Sequence, residues 1–280
     1  MRVAAIQVEA TENRAQNLEH AADLGRQAVD EGAEVILLPE LFSVPFVSAG
    51  EVDPDYFQYA ESLDGPTVQM VKRLSQQHEV AIVASVFEQA TIPGVYHNTA
   101  CIYVRGERVL TYRKAHLPYS SAFPEKFYFR PGSEPPTVFQ WQDATLGVVI
   151  CYERHFPEIV RVPALLGATL IAIPVACATP ATSAVFELEL RAHAVFNGLF
   201  VAAANRVGNE GGKTYYGRSM IVAPTGDVLA QAATDRPEVI VADCDFDLVA
   251  KQRHTLPFFR DRRPELYSDL HLPPTTGVAT

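Results

Sequence analysis

Leu146-Gly-Val-Val-Ile-Cys-Tyr-Glu-Arg-His-Phe-Pro157 is the stretch of this chain that decides its fold. The apolar run from Leu146 to Ile150 predicts a buried β-strand, and Pro157 predicts the start of a helix. Cys151 therefore lies at a strand tip, where backbone amides of the following turn can point at an anion. Such a position suits a nucleophilic thiolate and the oxyanion that it generates. The alternative interpretation of Cys151 is a small apolar core residue.

A carboxylate at the tip of a second buried strand favours the nucleophile. Val35-Ile-Leu-Leu-Pro-Glu40 is an apolar run that ends in Glu40. We expect burial to raise the pKa of this carboxyl group, because a low dielectric disfavours the charged form. A carboxyl group of raised pKa can act as a general base near neutral pH.

Two further segments add a lysine and a second glutamate. An alternating strand from Arg108 ends in Lys114-Ala-His-Leu-Pro118, and the aromatic loop Phe123-Pro-Glu-Lys-Phe-Tyr-Phe129 contains Glu125. A lysine taken alone is more often a surface residue. An aromatic loop is costly to expose, so we expect this one to fold over a neighbouring part of the molecule and to carry Glu125 with it.

Glu, Lys, Glu and Cys in this order, each near an apolar or aromatic run, resemble the nitrilase or carbon-nitrogen hydrolase superfamily. The resemblance extends from Met1 to Tyr267, and its matching segments are Leu37-Leu-Pro-Glu40, Arg113-Lys-Ala-His-Leu-Pro118, Glu125-Lys-Phe-Tyr-Phe129, Ile150-Cys-Tyr152, Ala204-Asn-Arg-Val-Gly208 and Arg218-Ser-Met-Ile-Val-Ala-Pro-Thr-Gly226. It implies a four-layer αββα sandwich formed by one domain. We assign residues 1–270 to this domain and 271–280 to a mobile C-terminal tail.

The resemblance also implies a role for each of these residues. Cys151 attacks the carbon, Glu40 takes its proton, and Lys114 holds the oxyanion together with the backbone amide of Tyr152. Glu125 positions Lys114 and the substrate nitrogen. A purely structural carboxylate is the alternative for Glu125.

The hydrophobic pattern agrees with an α/β fold in which strands and helices alternate. It predicts two sheets with helices outside them. Strands are predicted near residues 3–8, 35–38, 81–87, 146–150, 169–173, 199–204, 219–222, 228–230 and 239–242, with a hairpin over 95–111. Helices are predicted near 13–31, 66–74, 157–166 and 181–196.

Composition restricts the kind of protein. At 280 residues and 48% hydrophobic, the chain can bury a large core. Its net charge of −10 argues against nucleic acid, whose phosphates require a basic face. Apolar runs are strand-sized and the N-terminus reads as a strand, so we predict a cytoplasmic protein without a membrane partner. The four cysteines form no pair at zinc spacing, so we predict no metal and no cofactor.

A homodimer or a higher homo-oligomer is the expected assembly. The segment 251–270 contains enough apolar residues that it should be covered. In the family that this chain resembles, such a C-terminal segment packs across a dimer interface.

The substrate is predicted from the residues after Cys151. A guanidinium at Arg154 can hold a carboxylate bidentately; the alternative is an arginine paired with Glu153 or Glu158. Cys151-Tyr-Glu-Arg-His155 resembles the N-carbamoyl amino acid hydrolases, which implies cleavage to ammonia, carbon dioxide and the amino acid. The alternatives are an aliphatic or ω-amidase and, behind these, an N-carbamoylputrescine amidase, a nitrilase or a non-catalytic scaffold.

The remaining pocket residues are predicted from their positions just beyond strand ends. A papain-like Cys/His pair is disfavoured, because no papain-type signature surrounds Cys151. The small-molecule amide or carbamoyl substrate is expected to meet, besides Arg154, the side chains of Phe46, Tyr119, His155, Ala176 and Cys177, with Phe42 and Val175 as further candidates.

Overall fold

Two β-sheets packed face to face, with helices on both outer sides, form the computed structural model. It describes residues 1–47, 51–178 and 182–271. The predicted mobile tail lies outside the described residues, apart from His271. In chain order the strands are β1 (Arg2–Gln7), β2 (Val35–Leu37), β3 (Ala81–Gln89), β4 (Tyr96–Val104), β5 (Glu107–Arg113), β6 (Val138–Trp141), β7 (Ala144–Val148), β8 (Leu170–Pro174), β9 (Phe200–Ala204), β10 (Val207–Glu210), β11 (Lys213–Tyr216), β12 (Met220–Val222), β13 (Val228–Gln231) and β14 (Glu238–Asp243).

Over its described residues, the structure has the four helices that the sequence pattern predicts and two more. They are α1 (Arg14–Asp30), α2 (Pro66–His78), α3 (Glu125–Tyr128), α4 (Pro157–Leu165), α5 (Ser183–Asn197) and α6 (Asp247–Thr255). Asn13 caps α1 through its side chain, and proline is the first residue of α2 and of α4. Within the described residues, no helix is long and apolar enough to span a membrane.

Each of the two large sheets has six strands and a parallel centre. The orders are β14-β1-β2-β3-β4-β5 and β13-β12-β9-β8-β7-β6, while β10 and β11 form a separate hairpin. Strands β1, β2 and β3 run parallel, as do β7, β8 and β9. These central strands are buried on both faces, which explains their nearly continuous apolar sequences.

The layers are helix, sheet, sheet, helix. Helices α1 and α2 cover the first sheet, and α4 and α5 cover the second. The largest apolar core lies between the sheets, where Val3 and Leu37 of the first sheet belong to one cluster with Ile171 and Val201 of the second. The predicted four-layer αββα sandwich is confirmed.

Five elements were missing from the sequence prediction. Strand β6 is a four-residue edge strand, and the β10–β11 hairpin is polar around Gly211 and Gly212, so neither carries a strong apolar alternation. The short helix α3 has only one turn. Helix α6 is polar and buries only Val249, so its pattern is weak. The predicted start of α5 at residue 181 lies outside the described residues.

Candidate active site

Cys151 lies at the carboxyl end of β7, at the start of the short 3-10 turn Cys151–His155. Its φ of 46° is in the left-handed region, which is strained for a residue with a Cβ. Leu41, directly after Glu40, has a φ of 47°. Strained residues of this kind concentrate at functional sites, where the surrounding structure holds them in place. The Cys151 side chain faces a cavity, although the residue is only 8% exposed.

Glu40, Lys114 and Glu125 form a buried charge cluster beside this thiol. The Lys114 ammonium donates to Glu40 Oε1 at 2.7 Å and to the two carboxylate oxygens of Glu125 at 2.9 and 2.7 Å. All three side chains are at most 1% exposed. The strand β2 leads to Glu40, β5 leads to Lys114, and the aromatic loop carries Glu125 inward, as the sequence predicts.

One carboxylate oxygen of Glu40 accepts hydrogen bonds, and the other has no hydrogen-bond partner among the described residues. Asn98 donates to Glu40 Oε1 at 2.7 Å, and the hydroxyl of Ser85 donates to the Asn98 amide oxygen at 3.0 Å. Glu40 Oε2 is buried and has no hydrogen-bond partner within the part of the chain that the structure describes. An unpartnered buried carboxylate oxygen near a thiol can accept the thiol proton.

Burial and the neighbouring charges determine the protonation of this cluster. Burial alone would lower the pKa of Lys114, but the carboxylates of Glu125 and Glu40 outweigh it and raise this pKa, so the ammonium stays charged. Burial raises the pKa of Glu125 to about 7, although Lys114 opposes the change. The pKa of Cys151 is raised by the neighbouring Cys177 thiol and by burial. Cys151 therefore needs a base before it can act as a nucleophile.

The cavity above Cys151 has a volume of about 270 Å³. Tyr119, Arg154, His155, Ala176 and Cys177 line it, as predicted. Its other lining residues are Pro118, Ser120, Phe123, Glu125, Tyr152, Ala178, Thr182 and Val185. Among the described residues, no group of three or more His, Cys, Asp or Glu side chains could hold a metal ion.

The prediction that Phe46 lines this cavity is wrong. Phe46 is 1% exposed and packs in a separate aromatic cluster, where it contacts the edge of Phe123 and the cations of Arg206 and Lys213. Phe46 is therefore absent from the lining of the cavity. Phe42 and Val175 are likewise buried and absent from the cavity lining.

Arg154 has a charged partner, but neither of the two that the sequence suggests. Its Nε lies 2.9 Å from Glu189 Oε2 of α5, and its Nη1 donates to the Cys151 carbonyl at 3.0 Å. The same Nη1 lies 4.0 Å from Cys151 Sγ. His155 also contacts the Glu189 carboxylate. Glu189 is 35 residues from Arg154 along the chain, so no local pattern could identify it.

The Glu153 carboxylate is buried and joins two segments of the chain by hydrogen bonds. It does not line the cavity. It accepts hydrogen bonds from the Tyr112 hydroxyl at 2.5 Å and from the amides of Ala115 and Ile150 at 2.9 and 2.8 Å. One carboxylate thus ties the residue before Cys151 to the residue after Lys114. Sequence reasoning missed this role because two of these donors, Tyr112 and Ala115, lie 41 and 38 residues before Glu153 in the chain.

Arg206 fixes the loop after Glu40 by hydrogen bonds to its backbone. Its guanidinium donates to the Glu40 and Val44 carbonyls at 3.0 and 2.9 Å and pairs with Glu210 at 2.7 Å. Lys213 donates to the Ala122 carbonyl at 2.8 Å, next to the loop that carries Glu125. The sequence marked Arg206 only as part of a matching segment and gave no signal for Lys213.

Comparison with known proteins agrees with this arrangement. The family model described as "Carbon-nitrogen hydrolase" matches residues 2–254. The chain is 34% identical to N-carbamoylputrescine amidase of Oryza sativa subsp. japonica, covering 96% of this chain and 93% of the relative. It is also 34% identical to citrullinase of Francisella tularensis subsp. tularensis (strain SCHU S4 / Schu 4), over 96% of this chain and 98% of the relative.

A solved structure confirms the likeness in three dimensions. The carbon-nitrogen hydrolase from Helicobacter pylori G27 superposes with a TM-score of 0.91 at 31% identity, covering 96% of this chain and 98% of the other. The match spans both sheets and all the segments that meet around Cys151. On this evidence the chain belongs to the carbon-nitrogen hydrolase family, the nitrilase superfamily.

Proposed function

We propose that this carbon-nitrogen hydrolase cleaves an N-carbamoyl amino acid through a covalent intermediate on Cys151. Glu40 Oε2 takes the thiol proton, and the thiolate attacks the carbamoyl carbon. Lys114 and the Tyr152 amide hold the resulting oxyanion, and each such donor contributes on the order of 3 kcal/mol. Glu125 keeps Lys114 in position and meets the substrate nitrogen.

The second half of the reaction returns the enzyme to its starting state. The tetrahedral intermediate expels ammonia or the amine, which takes the proton back from Glu40. Water then attacks the thioester-like carbonyl with Glu40 as base and releases Cys151. The carbamic acid that forms breaks down, so that one water yields the amino acid, carbon dioxide and ammonia.

The observation that carries the amino acid part is the distance of 4.0 Å between Arg154 Nη1 and Cys151 Sγ. In an N-carbamoyl α- or β-amino acid, the carboxylate carbon lies only three or four bonds from the carbamoyl carbon, about 4 to 5 Å away. A carbamoyl carbon in contact with the thiolate would therefore bring the carboxylate to the guanidinium. Both hydrogen bonds that the Arg154 guanidinium makes among the described residues come from Nη1, to the carbonyl and the sulfur of Cys151, which would leave Nη2 for the substrate.

The names of the relatives support the carbamoyl part. N-carbamoylputrescine and citrulline, after which the two relatives are named, both carry a carbamoyl group on nitrogen. They differ at the other end, where the first has an amine and the second an amino acid. Both compounds therefore belong in any test of this chain.

A simple amidase is the second candidate, and the ion pair of Arg154 with Glu189 favours it. The Glu189 carboxylate neutralises the guanidinium. A neutral aliphatic amide could then occupy the cavity, whose lining includes Ala176, Ala178 and Val185, without a carboxylate anchor.

Ammonia release from a matched panel distinguishes the candidates. The panel contains N-carbamoyl-β-alanine, N-carbamoyl-D- and L-amino acids, N-carbamoylputrescine, citrulline, aliphatic amides, ω-amides and a nitrile, with Cys151→Ala as blank. We expect turnover of the carbamoyl acids and its loss in Arg154→Ala, but not in Arg191→Ala, a half-exposed arginine on α5. Turnover of neutral amides that Arg154→Ala leaves unchanged would make the enzyme an amidase.

We further propose that the protein is a cytoplasmic homodimer. The helix α5 exposes Val185, Leu188 and Phe196 at 46%, 67% and 54%. The C-terminal segment after α6 exposes Phe258 and Leu266. A second copy of the chain would cover these apolar side chains.

A further inference from the structure

The cavity contains a second thiol beside Cys151. Cys177 follows β8, as Cys151 follows β7. Because β7 and β8 pair in parallel, both strands end at the same edge of the sheet. Cys151 and Cys177 line the same cavity, and each thiol shifts the pKa of the other. Neither residue forms a disulfide in the structure. The proposed hydrolysis uses one of these thiols and leaves the other without a role.

Cys177 is held in place by its backbone. Its amide donates to the Asn205 side chain at 2.8 Å, and Asn205 returns a hydrogen bond to the Cys177 carbonyl at 3.3 Å. Cys151 is fixed by the end of β7 and by the 3-10 turn. Both thiols therefore face one cavity from the ends of neighbouring strands.

The surroundings of Cys177 favour its thiolate. Burial raises its pKa, but the neighbouring Cys151 thiol and the Arg154 charge outweigh burial and lower the pKa below its ordinary value. The other two cysteines lie in apolar surroundings, where burial raises the pKa of Cys101 and of Cys244 to about 12. A small oxidant that enters the cavity would thus find a reactive sulfur there and not elsewhere.

We propose that Cys151 and Cys177 form a reversible disulfide when a hydroperoxide enters the cavity. In the first step the Cys177 thiolate attacks hydrogen peroxide, the O–O bond breaks, and Cys177 sulfenic acid and hydroxide form. In the second step the Cys151 sulfur displaces the hydroxyl group, which leaves as water with the Cys151 proton, and the S–S bond forms. Two sulfur atoms lose two electrons in total, and one peroxide gains them.

The disulfide would inactivate the enzyme reversibly and protect both sulfur atoms from further oxidation. Cys151 cannot attack a substrate while its sulfur is bonded to Cys177. The bond also stops the progress of either sulfur to the sulfinic acid, which is not reversed by thiols. A dithiol restores both thiols and becomes a cyclic disulfide itself.

Peroxide treatment followed by mass spectrometry without reduction tests the proposal on the wild-type protein. We expect a mass loss of two hydrogens, a 151–177 linked peptide, the loss of two of the four thiols, and recovery of activity with dithiothreitol. Cys177→Ser and Cys177→Ala should instead gain two oxygen atoms at Cys151, as the sulfinic acid, and stay inactive after dithiothreitol. Cys101→Ser is the control that should behave like the wild type.

Two outcomes would overturn the proposal. One is a treated wild-type protein that loses activity with oxygen added at Cys151 and with no 151–177 peptide. The other is a Cys177 variant that dithiothreitol restores as completely as the wild type. The linked peptide, the mass and the thiol content are read without a substrate, so the first outcome remains informative whichever substrate the enzyme hydrolyses.

Discussion

Glu125 is a carboxylate that the fold buries beside another carboxylate, with one lysine between them. Burial raises its pKa to about 7, whereas an unfolded glutamate has a pKa near 4.3. Between these values the folded protein binds more protons than the unfolded chain, so stability falls as the pH rises. The contribution of Glu125 is complete below the unfolded pKa and is lost as the pH passes through about 7.

This difference predicts a stability change with pH that Glu125→Gln removes, because an amide does not titrate. We expect the free energy of unfolding of the wild type to fall between pH 5 and pH 8 more steeply than that of the variant. Urea denaturation at the two pH values measures it. Glu134→Gln, which changes an exposed carboxylate on the following loop, should keep the wild-type slope. Equal slopes in Glu125→Gln and the wild type would contradict the prediction.

Substitution of Glu189 is expected to change the substrate preference. Its carboxylate neutralises Arg154, so Glu189→Gln should leave a guanidinium that attracts anionic substrates more strongly. We expect KM for N-carbamoyl amino acids to fall by about fivefold, since a partly exposed charge contributes up to about 1 kcal/mol. Glu187→Gln removes a glutamate from the same helix that pairs with Arg191 and Arg218, and KM should not change. A rise in KM in Glu189→Gln would show that Glu189 serves mainly to orient Arg154.

At the scale of elements, one side chain joins the end of β5 to the turn after β7. The Glu153 carboxylate accepts from Tyr112 on β5, from Ala115 after Lys114 and from Ile150 before Cys151. The position of Lys114 relative to Cys151 therefore depends on this connection. A displacement of about 1 Å between groups of an active site can reduce the rate a hundredfold.

Glu153→Ala is expected to be destabilising, because it leaves several buried donors without an acceptor. Each such donor costs about 1 to 3 kcal/mol, so we expect a loss of about 3 kcal/mol or more in the free energy of unfolding, with a large fall in kcat. Tyr112→Phe removes only one donor and should cost about 1.5 kcal/mol. Chemical denaturation and steady-state kinetics measure both. A Glu153→Ala protein as stable and active as Tyr112→Phe would contradict the connecting role.

The sequence predicted those elements whose apolar pattern is strong. Strands such as β2 and β7 are buried on both faces, so Glu40 and Cys151 could be placed at their tips. The β10–β11 hairpin is held by tertiary contacts, among them the Arg206 and Lys213 hydrogen bonds to distant carbonyls. Contacts of this range have no local signal, which is also why Glu189 was missed and Phe46 was misplaced.

The whole molecule brings the proposed catalytic groups together because strands from both sheets end at the same side. Glu40 and Lys114 follow strands of the first sheet, and Cys151 and Cys177 follow strands of the second. The interface between the sheets is the largest apolar core and keeps the two halves in register. The cavity is thus a property of the complete sandwich, and neither sheet contains it alone.

The outer surface of the sandwich, unlike the interface between the sheets, leaves apolar side chains exposed. Along α5, Val185, Leu188 and Phe196 are spaced by three and then eight residues, so they share one face of the helix. Leu165 and Leu166 at the end of α4 are also exposed at 46% and 55%. Contiguous apolar residues on the surface usually mark an interface.

If a second copy of the chain packs on the exposed apolar face of α5, one substitution on this face should dissociate the dimer. Leu188→Lys places a charge in the proposed interface, where it would be desolvated without a partner, so the dimer should dissociate. Ile92→Lys introduces the same charge at an equally exposed position, 64% against 67%, on the turn between β3 and β4, and should leave the dimer intact. Light scattering after size-exclusion chromatography measures the mass of each protein. A wild-type protein that elutes as a monomer, or a Leu188→Lys protein of unchanged dimer mass, would contradict an interface along α5.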